Sequence, residues 1–176
     1  MTKVISVTFQ IFICLKDTGS DEDSFFQNFV YLQRSSSNTE RKDLTWTTCA
    51  DGCKIGGFEG QGCVVIGTRS GSINLFSLPT LDSKLVSIEP SWYFDQCHGK
   101  EGVTAVKIIR NSLVITAERR YGRVRRWKIV GGSGDGLGFG LQPLDQILKP
   151  SNVPWIGSFS LGPSGEILAL GFISFH

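Results

Sequence analysis

Apolar and polar positions along the chain fall into short runs separated by glycine turns. Cys63-Val-Val-Ile-Gly-Thr68 leads into Arg69-Ser-Gly-Ser72 and then Ile73-Asn-Leu-Phe-Ser-Leu78. Val103 to Ile109, Leu113-Val-Ile-Thr-Ala117 and Val124-Arg-Arg-Trp-Lys-Ile129 repeat the pattern, with a turn through Gly122. Ile156 to Leu161 and Ile167-Leu-Ala-Leu-Gly-Phe172 start another unit around Gly162-Pro-Ser-Gly165. A weaker pair runs from Val7 to Leu15 and Phe25 to Leu32, and Leu44 to Cys49 precedes the unit at 63. The units recur near positions 13, 63, 113 and 167, an offset of roughly 50 residues. Runs this short, bounded by turn chemistry, predict an all-β chain. Four strands per period predict the antiparallel blades of a β-propeller. The expected layout is a weak atypical blade over 1–43, blades over 44–95 and 96–150, and an incomplete blade over 151–176. That makes a partial propeller of about three and a half four-stranded blades. A partner strand is expected after 172, so the pattern reads as a fragment or truncated form of a larger propeller.

Composition agrees with a folded β protein. Of 176 residues, 40% are hydrophobic and 19% charged, which excludes wholesale disorder. Twenty-one glycines against one methionine favour turns over helical packing. No apolar run reaches the roughly 18 residues of a membrane helix. The longest, Val4 to Leu15, is interrupted by Ser6, Thr8 and Gln10 and lacks a small-residue cleavage site, so a buried strand pair is expected there, not a signal peptide. Five cysteines at irregular spacing read as buried free thiols in a reducing compartment. Cys49 and Cys53 lack the second pair or histidines of a zinc site, so no metal is expected. The Gly131–Gly138 stretch has only a superficial likeness to a nucleotide loop, and no cofactor is expected. Asp21-Glu-Asp23 reads as a solvated turn, while Asp51 and Glu59 read as loop residues without a partner. With two histidines and no nucleophile–base signature, a non-enzymatic role is expected.

Two constellations stand out. His98 lies in Cys97-His-Gly-Lys-Glu-Gly-Val-Thr104, just before a strand. In WD-repeat blades a histidine in this loop bonds a Ser/Thr of the second strand, which supports a Trp indole on the third. Thr116 and Trp127 stand at fitting intervals, so His98, Thr116 and Trp127 are expected to form a structural network. The aspartate that such blades carry in the following turn is missing, because the turn reads Glu118-Arg-Arg-Tyr-Gly122. The second constellation is basic. Lys100 to Lys128 holds nine cations against Glu101 and Glu118, a net +7, in a chain of net charge +2. Arg119, Arg120, Arg123, Arg125, Arg126 and Lys128 are the candidate RNA contacts, since clustered cations displace counterions from phosphates. The competing expectation is a solvated hairpin whose arginine stems cover apolar surface, with Trp127 in the core.

Several segments in order resemble the WD repeat-containing protein 6 family of tRNA-methylation adaptors. They are Gly62 to Phe76, His98-Gly-Lys-Glu-Gly-Val-Thr-Ala-Val106, the strand pair 113–129, Leu141-Gln-Pro143, Trp155 and Gly165 to Phe172. The likeness spans about two-thirds of the chain, 62–176, and the string from His98 to Thr104 is its most specific part. It implies a non-catalytic, cytoplasmic, multi-propeller adaptor. The implied partners are tRNA and a SAM-dependent tRNA 2′-O-methyltransferase acting on the anticodon wobble ribose, with no membrane involvement. The alternative is a generic WD-repeat scaffold that binds proteins only.

Overall fold

The computed structural model describes residues 5–16, 25–36, 47–54, 62–78, 86–110, 112–118, 123–131, 139–147, 155–161 and 168–173. These residues form strands and turns, with no helix among them. β1 (Ile5–Lys16) and β2 (Phe25–Ser36) pair antiparallel in continuous register. β3 (Thr47–Lys54), β4 (Gly62–Thr68) and β5 (Ile73–Leu78) follow as an antiparallel meander. β6 (Val86–Ile88) leaves that meander and pairs parallel with β2. β7 (Trp92–Phe94) returns to β5, completing a four-stranded sheet in the order β3-β4-β5-β7. The short β6 between β5 and β7 thus joins the N-terminal pair and not this sheet.

The second four-stranded sheet is an uninterrupted meander of β8 (Val103–Ile109), β9 (Leu113–Glu118), β10 (Val124–Gly131) and β11 (Phe139–Ile147). Its inner strand β9 is apolar along most of its length and buried from Val114 to Glu118, as a strand covered on both faces must be. β11 is the outer edge. It tolerates Pro143 at the bulge where Arg126 and Trp127 shift register, since an edge strand can spare an N–H. β12 (Trp155–Leu161) and β13 (Leu168–Ile173) pair antiparallel, and β12 touches β8.

The two four-stranded sheets share one core. Cys63, Val65, Ile73 and Leu75 of the first pack with Val103, Val106, Val114, Trp127, Ile129, Phe139 and Leu141 of the second. Close approach is set at Gly67, where a Cβ would lie 2.6 Å from Val103 Cγ1. Polar bonds fix the register between sheets. Thr48 Oγ1 donates to Val103 O, and Ile108 N donates to Asp51 Oδ2 at 2.8 Å. Phe139 N donates to Ser77 Oγ at 3.0 Å, and Ser91 Oγ donates to Phe139 O at 2.9 Å. Asp51 thus lies on β3, not in a loop, and serves as an acceptor between sheets. Glu59 lies outside the described residues. A smaller apolar cluster of Ile109, Ile115, Ala117 and Val124 forms separately from the shared core.

Candidate functional site

The loop before β8 is anchored by the β4–β5 turn of the other sheet. Gly71 has φ +81, open to glycine at little cost, and its carbonyl accepts from His98 N at 3.2 Å and Cys97 Sγ at 3.1 Å. Gln96 N donates to Ser72 Oγ at 3.1 Å. These bonds carry the His98 ring into the shared core, where it is 1% exposed. Burial pushes the Cys97 thiol up to about 12, so Cys97 is an inert apolar neighbour.

Thr116 is fully buried on β9 and meets two groups. Trp127 Nε1 donates to Thr116 Oγ1 at 2.9 Å, and His98 Nε2 lies 2.8 Å from the same oxygen. Donor chemistry assigns the protons. The indole can only donate, so Thr116 accepts from it and has its own hydrogen left for His98 Nε2. That places the imidazole proton on Nδ1, facing Glu118. Desolvation holds the His98 pKa below the ordinary histidine value, opposed in part by Glu118, so the ring is neutral at pH 7. Trp92 and Phe94 from β7 close over Trp127, with ring centroids 6.0 Å and 5.9 Å away.

Sequence reasoning missed Glu118 as part of this cluster. Glu118 is two residues beyond Thr116 on β9, hence on the same face. Its buried carboxylate stands 3.7 Å from His98 Nδ1 and 3.5 Å from Arg123 Nε. The histidine contact is longer than a hydrogen bond, and neither carboxylate oxygen has a hydrogen-bond partner. The signal available in the sequence was the period-2 spacing of Thr116 and Glu118.

The basic residues divide. Arg126 makes a two-pronged pair with Asp145 of β11, with Nε donating to Oδ1 at 2.6 Å and Nη2 to Oδ2. The Arg126 guanidinium holds the Asp145 carboxyl below its ordinary value. Arg123 faces Glu118. Arg125 has its Nε buried without a hydrogen-bond partner. Lys128 is exposed on β10. Arg119 and Arg120 lie outside the described residues. Among the described residues, no cluster of three or more His, Cys, Asp or Glu could hold a metal ion. No helix there is long and apolar enough to cross a membrane. No protein-family model and no curated protein matches the chain significantly.

Proposed function

We propose that the chain is part of a WD-repeat β-propeller that works as a non-catalytic, cytoplasmic adaptor. In this reading it helps a SAM-dependent tRNA 2′-O-methyltransferase hold tRNA for methylation of the wobble ribose. The observation that carries the propeller half is the Trp127–Thr116–His98 chain, built inside a four-stranded meander and docked on the preceding sheet. The tRNA half rests on the resemblance of the His98–Thr104 string and its neighbours, together with the local surplus of cations. The neutralised arginines refine the surface. Arg126 and Asp145 form an exposed pair, which a phosphate can compete for because exposed pairs are weakly held.

The test couples two assays. Methylation of the tRNA wobble nucleotide is measured with candidate methyltransferases in the presence and absence of the full-length protein. Binding of tRNA is then followed across a salt series for wild type, Lys128→Glu and Asp145→Asn. Asp145→Asn should tighten binding several-fold by releasing Arg126, and Lys128→Glu should weaken it and flatten the salt dependence. Methylation that is independent of the protein, with no tRNA binding by it, overturns the reading. A protein-only scaffold is the second reading, favoured by the exposed Tyr93 and Phe94 on β7 and Leu144 and Ile147 on β11.

A further inference from the structure

Cys53 and Cys63 stand directly opposite each other on β3 and β4. Their sulfur atoms are 3.8 Å apart. Directly opposed residues on antiparallel strands have Cα atoms about 4.5–5.5 Å apart, inside the range a disulfide spans. The sulfurs need to close by about 1.8 Å to reach a bond length near 2.05 Å, a distance side-chain rotation can supply. The two thiols differ in access. Cys63 is fully buried, whereas Cys53 is partly exposed near the end of β3. The other described thiols are placed differently. Cys49 Sγ donates to Val103 O at 3.7 Å and Cys97 Sγ to Gly71 O at 3.1 Å, so each is engaged with backbone, not with sulfur.

We propose that Cys53 and Cys63 form a reversible dithiol–disulfide site oxidised by peroxide, with Cys53 as the attacking thiol and Cys63 as the resolving one. The hydrogen bond from Cys63 lowers the Cys53 pKa, while the same contact and burial raise that of Cys63. In the first step the Cys53 thiolate attacks hydrogen peroxide. An S–O bond forms, the O–O bond breaks, and the departing hydroxide takes up the proton lost by Cys53. The sulfur is oxidised by two electrons to a sulfenic acid and the peroxide is reduced to water. In the second step Cys63 attacks the Cys53 sulfur. The S–S bond forms, the S–O bond breaks, and water leaves with the Cys63 proton. An external dithiol reverses the site by thiol exchange. The product closes the β3–β4 hairpin covalently, independent of any RNA or protein partner.

The test uses the full chain at pH 7.5 with hydrogen peroxide, quenching by N-ethylmaleimide and non-reducing peptide mapping. The expected result is a linked peptide joining Cys53 and Cys63 and a fall from five reactive thiols to three in denaturant, restored by dithiothreitol. Cys63→Ser should leave a sulfenic acid at Cys53 that dimedone traps, while Cys53→Ser should leave Cys63 reduced. Linkage of any other cysteines, over-oxidation of Cys53 without a disulfide, or five surviving thiols overturns the proposal. The wild-type map decides the matter even where a serine variant does not fold.

Discussion

Thr116→Val tests the polar chain at its centre. The substitution keeps the β-branched shape on β9 and removes one oxygen. That oxygen serves Trp127 Nε1 at 2.9 Å and His98 Nε2 at 2.8 Å, both buried with it. Water cannot replace it without opening the shared core, so both groups lose their partner. Each orphaned group costs about 1–3 kcal/mol. Replacing a buried hydroxyl by a methyl returns roughly 1 kcal/mol. The net loss is therefore on the order of 3 kcal/mol. With a urea m-value of about 2 kcal/mol per molar, the unfolding midpoint falls by roughly 1.5 M at unchanged m. Combining Thr116→Val with Trp127→Phe sharpens the result. Phenylalanine has no N–H to strand, so the double variant should cost less than the sum of the singles by about 1 kcal/mol or more. A Thr116→Val midpoint within error of wild type, or strict additivity of the two changes, would refute the reasoning.

Two further outcomes follow from the same region. Acid should destabilise the fold as pH drops below about 6.5, because the unfolded chain then protonates His98 while the folded chain, with its lowered pKa, does not. The slope reaches at most about 1.4 kcal/mol per pH unit, and His98→Gln should flatten it between pH 6.5 and 5.5. Stabilisation on acidification would mean that attraction to Glu118 outweighs burial and the nearby Arg123 and Arg125. Gly71→Ala should cost on the order of 3 kcal/mol, from left-handed strain at φ +81 and a new methyl 2.6 Å from Glu101 O. A thermal melt reads it, and an unchanged midpoint would show that the two sheets do not depend on this turn.

What the sequence made legible is what local patterning controls. The hairpins β4–β5 and β9–β10 lie where the β-branched runs and the glycine turns place them, because both signals are set within a dozen residues. β3 was less legible. Thr47–Lys54 carries Asp51 and Gly52 and has no clean alternation, so reasoning from propensity stops it near Cys49. It persists as a strand because Thr48 and Asp51 bond across to β8, more than 50 residues away. The three-residue β7 is too short for any periodicity to register, yet it supplies Trp92 and Phe94 to the Trp127 cluster. The basic run looked like an undivided positive surface because charge counts ignore register. Pairing of β10 with β11 sets Asp145 opposite Arg126, and a sequence separation of 19 conceals that.

The buried Glu118 belongs to the same polar arrangement as His98 and Thr116. A neutral imidazole whose Nε2 accepts from Thr116 must present an N–H at Nδ1, and a group of opposite polarity is needed there. Glu118 supplies it from the end of β9. At 3.7 Å the carboxylate attracts the Nδ1–H without forming a hydrogen bond, and Arg123 at 3.5 Å supplies the balancing charge. A buried carboxylate without hydrogen bonds is costly, so its retention depends on that arginine. Arg123, about a third exposed, is thereby drawn toward the buried Glu118. The pair offsets one positive charge of the run from Lys100 to Lys128, which the charge count alone does not reveal.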